Sequence, residues 1–179
     1  MKKNFSFKIL DKYDWLALAI CLAAFVLWMT LLTYKYYCFG YYDWDLAFYS
    51  QIMWNLTKGE LHSSLLGMNF LANHAEYIAF LLVPIYAVFQ HPLTLIFLKV
   101  FSFMTAAHVL YFFGKNLVNP RLGIIALVLF LLYPGNIYAL LYEFHFESLA
   151  VGLLMMMCFF FFKERFKPFV ITMILAGFI

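Results

Sequence analysis

Charge is what this sequence has least of. Asp, Glu, Lys and Arg make up only 12% of its 179 residues, against 66% hydrophobic and 22% aromatic residues. A soluble domain of this length cannot bury so much apolar surface, so lipid must be the solvent for most of the chain. Cysteine is scarce as well. Of the three, Cys21 and Cys158 lie inside apolar runs and only Cys38 stands near a water-facing end, which argues against a disulfide-built domain. The sequence contains no CxxC, no metal-finger spacing, no HExxH, no GxSxG and no glycine-rich phosphate loop. The formal net charge is only +3, and the lysines and arginines sit in short clusters between apolar runs. That is the pattern of membrane anchors and speaks against a nucleic-acid partner.

Long apolar runs are what the sequence has instead. The first, Trp15 to Tyr34, is 20 residues long and follows Lys2, Lys3, Lys8 and Lys12. It is long enough for a hydrocarbon core of about 30 Å and too long for a signal peptide, so it reads as an uncleaved anchor with a cytoplasmic N-terminus. Further spans are expected at 93–114, 122–141 and 149–162, with an incomplete one at 168–179. Residues 77–90 are apolar but short and carry Pro84 in the middle, so they are predicted to be interfacial or re-entrant. In that arrangement the basic links 115–121 and 163–167 join the N-terminus, and nine of the twelve Lys and Arg residues fall on the cytoplasmic side. Were 77–90 to cross, both links would lie outside, against the positive-inside rule. The expectation is one all-α, polytopic, integral-membrane domain over residues 1–179 in the plasma (cytoplasmic) membrane. Because the last run stops after 12 residues without a closing charge, this is expected to be the N-terminal part of a longer chain.

The most polar stretch is 35–76. Within it Leu46, Tyr49, Ile52, Met53 and Leu56 recur at helical spacing, with Asp45, Gln51, Asn55 and Lys58 on other faces. This predicts a short amphipathic helix in the interface, closed by Gly59, followed by an irregular loop over 59–73. Six of the nine acidic residues (Asp43, Asp45, Glu60, Glu76, Glu143, Glu147) fall in the two exoplasmic loops, together with His62, His74 and His145. Charge near membrane depth is costly, so three groups become site candidates: Asp43 with Asp45, His74 with Glu76, and Glu143, His145 and Glu147. Each also has a plain structural reading. Asp45 is suited to be the N-cap of the predicted helix. His74 and Glu76 can mark where the chain re-enters the interface. The 142–148 loop needs polar groups, but three ionisable ones exceed that need. Lys99 is expected to snorkel or pair within the bundle, with an anionic lipid head as the alternative partner, His108 is expected to pack, and Asn55-Leu56-Thr57 matches a glycosylation sequon.

Asp43-Trp44-Asp45, directly after an uncleaved first span, resembles the modified DxD motif of the GT-C superfamily of membrane glycosyltransferases. More closely, D-L-x-x-x-x-Q-x-x-W-N (Asp45 to Asn55), N-H-A-E (Asn73 to Glu76), P-I-Y-A (Pro84 to Ala87) and E-F-H-F-E (Glu143 to Glu147) resemble a family of uncharacterised predicted membrane proteins, a domain of unknown function related to GT-C enzymes. The chain departs from that family at Asn73, often Asp there, and at Phe146, where the family has proline. The resemblance implies a GT-C-like N-terminal module that moves a sugar from a polyprenyl-phosphate donor on the exoplasmic side. Asp45 and Asp43 would then be the catalytic acids, with Asp45 the base toward the acceptor hydroxyl. His74, Glu76, Glu143, His145 and Glu147 would bind substrate or metal. Carboxylates hold phosphate only through a metal or a proton, so a divalent cation is the cofactor to look for. The implied partners are membrane lipid and the lipid-linked sugar. A rival reading, a transporter or flippase for a lipid-linked or acidic solute, would use the same acids as ion sites. In a third, a non-catalytic scaffold, the acids would affect abundance alone.

Overall fold

The computed structural model describes residues 10–42 and 44–179. Its first helix, α1 (Lys12–Tyr37), starts at a capping box. The Asp11 carboxylate accepts from the Tyr13 and Asp14 amides, and the Asp14 carboxylate accepts in return from the Asp11 amide at 2.9 Å. This satisfies donors that the first turn leaves without partners. At 26 residues, α1 is about 39 Å long. The other long helix, α4 (Pro92–Leu117), opens with proline at its first position, and its preceding His91 ring accepts from the Leu93 amide. The two run antiparallel. Lys115, near the end of α4, bonds Asp11 and Asp14 at the start of α1, while the Tyr36 and His91 rings meet at 5.4 Å at the other end. We call these the proximal and distal ends.

Only 17% of the apolar stretch of α1 is buried, against 56% for α4, so α4 is the central post and α1 stands at the edge. Both are long and apolar enough to cross a membrane. A third candidate is α5 (Pro120–Leu132) continued by α6 (Pro134–Leu141), a pair bent by 48° at Tyr133. Pro134 causes the break, having no amide hydrogen to carry the helix through. The expected span 122–141 is therefore two helices. Near the proximal end α4 and α5 touch backbone to backbone. A Cβ on Gly114 would lie 2.6 Å from Gly123 Cα, and one on Gly123 would lie 2.5 Å from the Tyr111 carbonyl oxygen, so this crossing requires glycine on both helices.

Helix α7 (Glu147–Phe162) runs parallel to α4 from the distal to the proximal end. Ser102 pins it: the hydroxyl donates to Leu149 O at 3.0 Å and accepts from Gly152 N at 2.9 Å. Helix α8 (Phe166–Ala176) returns, and Phe178 O just beyond it accepts from Ile78 N at 2.7 Å. At 16 and 11 residues, α7 and α8 are short apolar helices.

Between α1 and α4 the chain leaves from and returns to the distal end. This excursion holds α2 (Asp45–Leu56) and α3 (Ile78–Val88). Helix α3 contains Pro84 and spans 11 residues, about 16 Å. Helix α2 buries Leu46, Phe48, Tyr49, Ile52, Met53 and Leu56, which contains the whole face given by the spacing. The 59–73 segment differs from the expected irregular loop. It forms a small hairpin, β1 (His62–Ser63) paired antiparallel with β2 (Met68–Asn69), followed by a 3₁₀ turn at Phe70–Ala72. The hairpin hangs from the polar side of α2. Asn55 Nδ2 donates to His62 O, while Gln51 donates to the Ser64 hydroxyl and accepts from that of Ser63. The asparagine of the sequon thus serves as a structural tie.

Candidate functional site

The distal end gathers Asp45, Glu76, Glu143, His145 and Glu147. Helix α2 begins there without a side-chain cap of its own: Trp44 precedes its first residue and makes no capping bond. Glu143, 97 positions away, does the work, its Oε2 accepting from the Leu46 amide at 2.8 Å. A carboxylate placed at a helix N-terminus meets both a free donor and the positive end of the dipole. This corrects the expectation that Asp45 is the N-cap. Asp45 lies inside the first turn, and its carboxylate is directed elsewhere, Oδ2 sitting 2.9 Å from His145 Nε2. The other ring nitrogen of His145 is 3.8 Å from Glu147 Oε2. One imidazole is therefore set between two carboxylates, with the Tyr142 ring stacked on it at 5.8 Å and 17°.

Tyr49 joins this group to the third candidate pair. Its ring meets His145 edge-on at 5.6 Å, and its hydroxyl donates to Glu76 Oε1 at 2.8 Å. Glu76 is 2% exposed. Burial pushes its pKa above the usual carboxylate range, and the Glu147 charge adds to this, while the Tyr49 hydrogen bond and the His74 and His145 rings oppose it. Tyr49 itself is pushed well above the ordinary phenol range, by burial first and the Glu76 carboxylate second, so it remains a donor.

Two lysines hold up the loop that carries Glu143 and His145. Lys99, with no exposed surface, donates to the carbonyls of Ala139, Tyr142 and Glu143 at 3.2, 2.8 and 3.2 Å. Lys35 donates to Leu141 O at 2.6 Å. Ala139 and Leu141 are in the last turn of α6 and Tyr142 and Glu143 follow it; the helix leaves its last carbonyls without donors, and cations suit that end of the dipole. Lys99 thus pairs within the bundle, on backbone rather than on an acid.

Of the expected site residues, Asp45, Glu76, Glu143, His145 and Glu147 come together from three distant segments. His74 is exposed and lies close enough to Glu76 to favour that group's ionised form. Asp43 lies outside the described residues. Among the described residues no three His, Cys, Asp or Glu side chains are arranged to hold a metal ion. Asp45 and His145 bind each other, and Glu143 binds a helix end. Sequence reasoning missed Tyr49, which its spacing put on the apolar face of α2. The hydroxyl was the one available signal of a second role. It also missed Lys35, whose position in the last turn of α1 reads as an ordinary interfacial lysine.

No curated protein and no solved structure matches this chain. A family match does cover residues 35–176, which includes every candidate residue; that family's description names a membrane protein and no activity. The chain belongs to DUF2079, a family of predicted membrane proteins.

Proposed function

We propose that this chain is the membrane module of a GT-C-type glycosyltransferase, with the distal end facing the exoplasm and a polyprenyl-phosphate-linked sugar as donor. One observation carries the reading: Asp45 and His145, 100 positions apart, meet at 2.9 Å, with Glu147 across the same imidazole. Sugar transfer forms a bond from the acceptor oxygen to the anomeric carbon as the bond from that carbon to the phosphate oxygen breaks. The electron pair leaves with the polyprenyl phosphate, and the acceptor proton needs a base. Asp45, with 20% of its side chain exposed, fills that role. His145 holds one of its oxygens and fixes the direction of the other, a positioning role. Glu147, 58% exposed, faces the imidazole from the solvent side.

Charge distribution supports the orientation. Lys12, Lys115, Arg121, Lys163, Arg165 and Lys167 lie on segments at the proximal end, against Lys35, Lys58 and Lys99 toward the distal one. By the positive-inside rule the proximal end is cytoplasmic. Helix α3 then stays on the exoplasmic side, in the plasma membrane. The test is transfer from a radiolabelled polyprenyl-phosphate sugar by the full-length protein in proteoliposomes. Asp45→Asn should cut the rate by about 10²–10⁴-fold, the usual worth of a general base. Equal rates in the two proteins would sink the reading.

One feature favours the rival. A buried carboxyl group with a raised pKa, Glu76, is what proton-coupled transport uses. Uptake of an acidic solute that follows an imposed pH gradient and vanishes in Glu76→Gln would establish that alternative.

A further inference from the structure

We infer that Lys35 is the seat of a phosphate anion, with the Tyr41 hydroxyl as second donor. The identity of the phosphate, that of a lipid-linked donor, rests on the transfer reading. The site itself rests on geometry.

Two lysines serve one short helix end. Lys99 spends its three ammonium hydrogens on three carbonyls. Lys35 spends one on Leu141 O and lies 4.3 Å from the centre of the Tyr41 ring, which leaves two hydrogens for another acceptor. Among the described residues Lys35 forms no ion pair with Asp45, Glu76 or Glu147, which stand at the same end.

Tyr41 is an independent observation. Its hydroxyl is buried and, among the described residues, has no hydrogen-bond partner. A buried donor left unmatched is costly and needs an acceptor. Burial, and after it the nearby Glu143 carboxylate, hold the phenol pKa above its ordinary value, so it stays a donor. Glu143 Oε2 is already engaged by the Leu46 amide. A cation with spare hydrogens beside a donor that lacks an acceptor is a donor set for an oxyanion. Phosphate, with acceptor oxygens pointing several ways, fits two donors on different elements better than a planar carboxylate does. Charge that leaves with the polyprenyl phosphate would then be received by lysine.

The test is protection of Lys35 from an impermeant amine-acylating reagent, read by peptide mass spectrometry on the full-length protein in phosphatidylcholine nanodiscs. The probes are decyl phosphate, decanol and inorganic phosphate, with exposed Lys58 as internal control. Decyl phosphate should slow acylation of Lys35 about tenfold, the worth of one charge-assisted hydrogen bond, and leave Lys58 unchanged. Tyr41→Phe should weaken that protection, and Lys35→Arg should retain decyl phosphate binding by calorimetry. Protection by inorganic phosphate at the same concentration would identify the free anion as the ligand. Protection by decyl phosphate alone would identify a lipid headgroup. Equal protection by decanol, or none beyond that of Lys58, overturns the inference. No transfer is needed for this readout, so a failed transfer assay and a failed phosphate site remain separate results.

Discussion

The two ends of the bundle use the same kinds of residue in opposite ways. At the proximal end Asp14 takes the Tyr111 hydroxyl at 2.7 Å and the Lys115 ammonium at 2.5 Å, and the same lysine bonds Asp11 at 2.8 Å. Acid and base answer each other, and the Lys115 ammonium holds the Asp11 carboxyl below its usual range. At the distal end the lysines are turned onto backbone carbonyls while the acids are left to an imidazole, a phenol and a helix terminus. The first arrangement is closed and serves to hold helices. The second sets lysines on carbonyls and acids on other partners at short range, which costs stability.

The sharpest way to break this comparison is to remove one acid from each end. Asp45→Asn should abolish about 10²–10⁴-fold of transfer activity with little change in melting temperature. Asp14→Asn should do the reverse. It removes one of the two carboxylates that Lys115 binds, the more buried one, and should cost about 2 kcal/mol by thermal or denaturant unfolding, with activity per folded molecule intact. If both variants behave alike, the two ends do not differ in the way described.

A smaller effect separates Glu76 from its neighbours. Its carboxyl pKa is raised in the folded protein, so the native state binds the proton more tightly than the unfolded chain. Stability from this group is therefore greatest at acid pH and falls as pH rises from about 4.3, the ordinary Glu value, through the raised one. Glu76→Gln should flatten that decline in a melting-temperature profile while still accepting from Tyr49. A steeper decline in the variant would contradict the assignment. Smallest of all, Glu143→Ala should cost about 1 kcal/mol, as lost caps do, and should speed amide exchange in the first turn of α2 more than elsewhere.

Much of the fold was legible because periodicity and length report on how single segments meet their surroundings. The buried face of α2 and the long α1 and α4 follow from such patterns. The break at Tyr133 was visible only as Pro134 and Gly135 inside an apolar run, and hydropathy averaged across it. The hairpin over 62–69 has no strand signal, since Gln51 and Asn55 on another element create it. In the site, the residues were legible but their partnerships were not. Asp45 fits a helix N-cap by position, and only contact with a segment 97 residues away shows that Glu143 performs that task. Lys35 and Lys99 announce charge, yet nothing local reveals that both end on the carbonyls of α6.

The clamp between α1 and α4 also orders the assembly of the protein in time. Lys115 follows Asp14 by 101 positions. At synthesis rates of about 5–20 residues per second, the acid waits roughly 5–20 s for its partner. During that interval the start of α1 must sit where water or headgroups can solvate two carboxylates, which holds the new helix at a fixed depth. Arrival of α4 replaces that solvation with Lys115 and Tyr111, so the joint that stabilises the finished bundle first acts as a depth gauge for its opening helix.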